Sequence, residues 1–297
     1  MLDFTYPVSG VTTWFFLPAL VTFFLAYFGA MAGVTGAFLL LPFQISVLGY
    51  TSPSVSGTNF VYNIFAIPAT VYRYARDGRM NWPLALVITI GSLPGITVGY
   101  YLRVRYLTEP QYFMPFVGIV LLYLAWMVAQ GMLKGNNTDK HNLPDREARI
   151  TEVRYGLDKI SYFFDGSVYS FDPRLLFAVA LAVGGVGGAY GIGGGAVLAP
   201  FCISVLRLPV HSVAGASLFG TLMSSIIGVA VYQAGFFAQG MATSPDYLLG
   251  LVFGLGGLVG GYLGARTQKY VPQKPIKAGL LLVLLFVSIK YILVLWK

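Results

Sequence analysis

The sequence predicts an all-α integral membrane protein. It reads as about ten transmembrane segments in two inverted repeats of five, with short glycine-broken helices in each half. Three observations carry this reading. First, the 297 residues are 57% hydrophobic and only 10% charged, where a soluble domain carries about 25% charged residues, and several apolar runs are long enough to cross a bilayer. Second, the chain repeats itself. Gly188–Leu206 aligns with an earlier stretch ending at Leu48 at a constant offset of 158, so that Gly33 matches Gly191, Gly36 matches Gly194, and Pro42-Phe-Gln-Ile-Ser-Val-Leu48 matches Pro200-Phe-Cys-Ile-Ser-Val-Leu206. The register runs on through Ser54-Val-Ser-Gly57 and Ser212-Val-Ala-Gly215, which marks an internal duplication. Third, the basic residues fall on one side of a ten-segment arrangement.

Taken in order, residues 12–32 form the first apolar helix, with no basic stretch ahead of it, so it reads as a retained helix and not a cleaved signal. A glycine break follows, then a short apolar piece at 36–50. Ser52-Pro-Ser-Val-Ser is a helix-start signature leading into 55–74. The charged turn Arg73 to Arg79 precedes helices at 83–102 and 112–133. Residues 134–173 are the only long polar stretch, where Asp165-Gly166 between β-rich runs predicts a hairpin. The second half repeats the order at 174–192, 194–206, 212–235, 247–265 and 277–296. Gly260-Gly-Tyr-Leu-Gly264 answers Pro94-Gly-Ile-Thr-Val-Gly99 at an offset of 165, which places a seven-residue insertion between Gln233 and Pro245. The organisation is a first membrane repeat at 1–133, a polar loop at 134–173 and a second repeat at 174–297.

With the 134–173 loop in the cytoplasm and five crossings per half, only Arg103, Arg105, Lys290 and Lys297 of the nineteen basic residues lie outside. Treating the short pieces as re-entrant moves Arg207 and the 266–277 cluster outside as well. The positive-inside rule favours five segments per half, in opposite orientations. The chain then belongs in the cell membrane as a multi-pass protein, the inner membrane if the cell is Gram-negative. The net charge of +8 is explained by those loops, and no basic stripe interleaves with aromatics to bind nucleic acid.

Paired, short, glycine-interrupted segments at equivalent positions of two halves point to a transport site. A break frees N–H and C=O groups that lipid cannot satisfy, and a half-helix N-terminus favours an anion. Gly33, Thr35, Gly36 and Gly191, Gly193, Gly194, Gly195 form the breaks. Thr58, Asn59 and Asn63 follow in the first half, and Ser217 and Thr221 in the second. These polar groups in apolar helices face the bundle interior. Close helix packing and hydrogen bonding remain open as their alternative role, and packing is the leading reading for Gly256 to Gly264. Ser224, Ser225 and His211 are weaker candidates.

The single cysteine, Cys202, excludes an intrachain disulfide and reads as a small buried hydrophobe. No His/Cys/Asp/Glu set has metal-ligand spacing. Gly191-x-Gly-x-x-Ala196 lacks the βαβ context of a dinucleotide site, and no Gly-Lys-Ser/Thr phosphate loop is present. No nucleophile, base and acid set marks an enzyme, and no cofactor is expected.

At these motifs, Gly188 to Pro200, Gly29 to Pro42, Gly57-Thr-Asn59 and Pro94 to Gly99, the chain resembles the TauE/SafE sulfite exporter family of membrane permeases. The resemblance covers nearly everything except 134–173. It implies secondary transport of a small sulfur-containing anion such as sulfite or an organosulfonate; thiosulfate is a further candidate, alternating access about the two glycine breaks is the expected mode, and the coupling ion, a proton or sodium, stays open. A channel-like anion pore, and a receptor or scaffold acting through the 134–173 loop, stay open beside it.

Overall fold

The chain is described here from a computed structural model, over residues 3–32, 35–134, 149–156, 158–238, 240–267 and 273–296. Prolines and side-chain caps set where its helices begin. Asn81 accepts the backbone N–H of Leu84 at 3.2 Å ahead of Pro83. Asp172 accepts those of Arg174 and Leu175 ahead of Pro173. Asp246 accepts that of Leu249 at 3.0 Å. A proline in the first turn costs nothing, because its missing N–H would have no helical partner there.

In the first half, α1 spans Leu17–Ala32, α2 Ala37–Ser46, α3 Ser54–Ala66, α4 Pro68–Arg76, α5 Trp82–Arg105 and α6 Pro110–Lys134. In the second, α7 spans Pro173–Tyr190, α8 Gly194–Ser204, α9 Val210–Ala234, α10 Tyr247–Thr267 and α11 Gln273–Ile292, with a 3-10 turn at Leu293–Trp296. Among the described residues, six segments can cross a membrane by length and composition: 82–105, 110–132, 173–190, 212–234, 247–264 and 275–292. Helices α1, α2 and α8 are apolar but shorter. The chain is thus a predominantly helical, multi-pass membrane protein.

Three expectations need correction. The fold is not all-α: β1 (Asp3–Thr5) pairs antiparallel with β2 (Thr12–Trp14), and β3 (Thr151–Arg154), β4 (Ile160–Phe164) and β5 (Ser167–Phe171) form a second sheet. The first helix accordingly starts at Leu17 and not at residue 12, because Thr12–Trp14 pairs with the chain's start. The segment expected as one helix at 55–74 is two, α3 and α4. Pro68 cannot donate to the carbonyl one turn back, and its ring crowds that turn. The equivalent residue of α9 is Ile226, and α9 runs on unbroken. The hairpin does turn at Asp165-Gly166, and both residues have positive φ, +47° and +76°, as a tight two-residue β-turn requires. Five residues link α4 to α5 and twelve link α9 to α10, which locates the seven-residue insertion.

The packing obeys the duplication while crossing between its halves. Helix α5 of the first half lies parallel on α7 of the second: Gly91, Gly95 and Gly99 rest on the backbone of Phe177, Leu181 and Gly185. Helix α10 of the second half lies in the same way on α1 of the first: Gly256, Gly260 and Gly264 rest on Ala19, Phe23 and Tyr27. The offsets of 158 and 165 carry one set of three contacts onto the other without exception. Helices α3 and α4 run antiparallel to α9, with Gly57 against Tyr232 at one end and its equivalent Gly215 against Tyr74 at the other. Helices α6 and α11 also run antiparallel, Ser288 donating to the carbonyl of Gly118 at 2.7 Å.

These directions sort the loops to two ends. At one end, the apolar face of the second sheet (Ile160, Tyr162, Phe164, Phe171) is buried among Leu84 of α5, Leu176 of α7, Cys202 of α8 and Val213 of α9. Tyr162 hydrogen-bonds Ser212 at 2.8 Å, and burial pushes its phenol up to about 12. So α7 and α9 both begin at the sheet end, and α8 returns to it. At the opposite end, where α9 finishes, Asp246 accepts the N–H of Val8 at 3.3 Å, the N–H of Ser9 at 2.9 Å and the Ser9 hydroxyl at 2.8 Å. That carboxylate ties the first hairpin to the start of α10. Also buried is Arg103, which donates to the carbonyls of Leu107 and Thr51 and lies 3.6 Å over the Phe113 ring.

The crossed pairs give a paired prediction. A valine at Gly95 or at Gly260 would drive its side chain into backbone, of Leu181 or Phe23 respectively. Each should destabilise the protein by about 1–3 kcal/mol, whereas Gly261→Val, which meets nothing within 4 Å, should be tolerated. Thermal unfolding in detergent compares the three.

Candidate functional site: the glycine breaks

Helix α7 ends because Gly191 turns left-handed, at φ +91°, ψ 21°, and its N–H reaches back to the carbonyl of Gly187 at 2.8 Å. Two residues later Gly193 takes φ +77°, ψ 152°, a conformation essentially confined to glycine. Helix α8 then starts with no side-chain cap on its first turn. The same holds in the first half: α2 starts at Gly36 without a side-chain cap. An uncapped helix start presents N–H groups at the positive end of the helix dipole.

The fold brings the two breaks together. Tyr190, the residue before Gly191, donates its hydroxyl to the carbonyl of Phe38 in the first turn of α2, at 2.7 Å. Around the second break, Gly191 lies on the backbone of Ser56 in α3, Gly194 on Ser92 in α5, and Gly195 on Ser217 and Thr221 in α9. Ser56 donates to the carbonyl of Ala189 at 2.8 Å, and Tyr232 to that of Gly188 at 3.0 Å. These bonds satisfy carbonyls freed where α7 ends. Around the first break, Asn59 donates its amide to the carbonyl of Ala37 and accepts from the Gln44 amide, each at 3.4 Å. Gly36 packs on Ala26 of α1 and the Tyr62 hydroxyl.

Thr35, Gly36, Asn59, Asn63, Gly191, Gly193, Gly194, Gly195, Ser217 and Thr221 therefore surround one adjoining pair of breaks. Gly33 lies outside the described residues. Thr58 sits nearer the hairpin end, where its hydroxyl bonds Tyr50 at 3.1 Å and accepts the N–H of Asp246 at 2.9 Å. Ser225 accepts from Asn63 at 3.2 Å, and Ser224 pairs with Ser92 at 2.9 Å. Arg207 is exposed beyond α8.

The glycines are thus close-packed, and polar atoms remain beside them. Thr35 Oγ1, Ser217 Oγ, Gln44 Oε1 and Asn63 Oδ1 are buried with no hydrogen-bond partner. One unpaired hydroxyl falls at each break: Thr35 just ahead of α2, and Ser217 where Gly195 of α8 meets α9. Among the described residues no group of three or more His, Cys, Asp or Glu is placed to hold a metal. Gln44, Ser56, Ser92 and Tyr190 were missed by the reading of the sequence. Gln44 carries a usable signal, an amide side chain in an otherwise apolar stretch of α2, whereas Ser92 shares its helix with Thr89 and Thr97 and stands out less. Ser56 and Tyr190 carry none, because their roles depend on which carbonyl lies opposite.

The family model for the sulfite exporter TauE/SafE matches residues 18–291. A "probable membrane transporter protein YunE" of Bacillus subtilis is 24% identical over 271 residues, covering 89% of this chain and 92% of that protein. A "probable membrane transporter protein" of Xylella fastidiosa is 27% identical over 239 residues, covering 79% of this chain and 77% of the other. No solved structure matches the chain at a significant level.

The break geometry predicts that Gly193→Ala costs about 1–3 kcal/mol through backbone strain. Gly185→Ala, on the same path but with only the carbonyl of Gly95 nearby at 3.8 Å, should cost far less. Paired melting curves of the purified variants make the comparison.

Proposed function

The chain belongs to the TauE/SafE sulfite exporter family of membrane transporters, and from that premise we propose that it is a secondary permease binding one small sulfur oxoanion between its two glycine breaks. The observation that carries this is the pairing of uncapped helix starts with unpartnered buried hydroxyls. The start of α8 has Ser217 beside it, and the start of α2 has Thr35. A buried hydroxyl without a partner costs about 1–3 kcal/mol, a cost removed when it donates to a ligand oxygen. Helix N–H groups and neutral hydroxyls suit a small anion that must also be released, because neither holds it with a fixed charge.

In this proposal the halves are inverted repeats of five segments. The antiparallel course of α3–α4 against α9 supports it, as does the return of α8 to the end where α7 began. The basic residues Arg73, Arg76, Arg79, Arg207 and Arg266, together with the second sheet, then lie on the cytoplasmic side. Because α5 rests on α7 and α1 on α10 through matching glycines, two interlocked units of similar build can rock against each other across the breaks. That supplies alternating access.

The test is uptake by proteoliposomes of labelled sulfite, thiosulfate, sulfate and one organosulfonate, with a neutral amino acid as control. Saturable uptake of a sulfur anion is the expected result, and no uptake by folded protein would remove the reading. Ser217→Ala should weaken anion affinity about tenfold, or about 1.4 kcal/mol, while leaving the melting temperature unchanged or raised, since the fold makes no use of that hydroxyl. A lowered melting temperature with unchanged affinity would assign Ser217 to packing.

A further inference from the structure

Two of the unpartnered buried atoms are of the wrong kind for an anion. Gln44 Oε1 and Asn63 Oδ1 are carbonyl oxygens, and both side chains are fully buried. Their orientation follows from the network around them. Ser225 spends its only proton on the carbonyl of Thr221 at 2.7 Å, so Asn63 must face Ser225 with its NH2, at 3.2 Å. Its oxygen is left free. Asn59 must likewise turn its NH2 toward the carbonyl of Ala37, which leaves its oxygen to accept from Gln44. Gln44 therefore presents its NH2 to Asn59 and its own oxygen elsewhere. Asn59 and Asn63 are four residues apart, on one face of α3, so Gln44 is docked one turn from Asn63.

A buried acceptor with no donor calls for a cation or a proton-bearing ligand. Two neutral carbonyls without a carboxylate in the network fit a monovalent ion, because calcium and magnesium sites draw on carboxylates. The second half has no such pair. At the positions equivalent to Gln44, Asn59 and Asn63 it carries Cys202, Ser217 and Thr221, a thiol and two hydroxyls. The duplication has diverged into an amide side and a hydroxyl side.

We propose that Gln44 Oε1 and Asn63 Oδ1 belong to a single monovalent-cation site, with sodium as its ion, on the first-half side of the breaks. Its role as the coupling site rests on the permease reading above, since a sodium ion beside the anion would offset its charge and tie the two movements together. Binding of the ion does not depend on that reading.

The test is binding of radioactive sodium to the purified full chain in lipid nanodiscs, in choline chloride and without any sulfur anion. Saturable binding near one ion per chain is expected, weakened at least tenfold in Gln44→Leu and in Asn63→Leu. As a measurement independent of how either variant folds, the wild-type protein is also melted in sodium against choline, where a sodium-specific rise in melting temperature is expected. Absence of both saturable binding and stabilisation in the wild type overturns the site, as does binding that is unchanged in both folded variants. Saturable sodium binding together with anion uptake that is driven by acidification and indifferent to sodium would overturn the coupling role alone, leaving the ion site and the permease reading intact. Sodium binding with no anion uptake would keep the ion site and remove the permease reading.

Discussion

Backbone contact between helices is the constraint on which this architecture rests. Lipid offers helices no hydrophobic drive to associate, so close van der Waals contact must supply it. Glycine at every fourth position of α5 and α10 lets the backbones of α7 and α1 approach to touching distance. Those two crossed pairs hold the halves together and set the direction of the helices in them. The antiparallel pairs, α3–α4 with α9 and α6 with α11, then close the bundle about the same exchange of halves.

Within that frame the breaks become tolerable. Interrupting a helix at membrane depth exposes backbone groups that hydrocarbon cannot satisfy. At the second break Ser56 and Tyr232 reach the carbonyls of Ala189 and Gly188, and Tyr190 crosses to the first break, reaching the carbonyl of Phe38 that Pro42 leaves without a helical N–H. The N–H groups at the starts of α2 and α8 have no side-chain cap, and two buried hydroxyls without a partner, those of Thr35 and Ser217, lie beside them. At the second break the carbonyl end of α7 is satisfied by the fold while the start of α8 has no side-chain cap, and the proposed anion site rests on that difference.

The ends of the bundle are built differently. The second sheet buries Ile160, Tyr162, Phe164 and Phe171 against four helices, so the β4–β5 hairpin is part of the packed structure at that end. At the other end a hairpin of two three-residue strands is held by the Asp246 carboxylate, which also caps α10, while the backbone N–H of Asp246 donates to the Thr58 hydroxyl. Arg103 is wholly buried near the α5–α6 turn, its charge spread over two carbonyls and the face of Phe113.

The sequence by itself determined the duplication, its register and the position of the insertion, because a repeated fold needs repeated glycines and a constant offset survives in the chain. It also pointed to the breaks at Gly191 and Gly193, because glycines at 191, 193, 194 and 195 each weaken a helix interior, although α10 runs unbroken through Gly256, Gly257, Gly260 and Gly261. The Asp165-Gly166 turn was legible for a similar local reason. Local signals misled at the chain's start, where an apolar run at 12–16 is drawn into a hairpin. They also gave too little weight to Pro68, which splits a helix whose counterpart continues through Ile226. Only the tertiary structure decided that α1 pairs with α10 and α5 with α7, that Tyr190 bridges the two breaks, and that Gln44 joins Asn59. Those outcomes depend on which backbone group stands opposite a side chain after two distant segments have met, and no local pattern in the sequence encodes that distance.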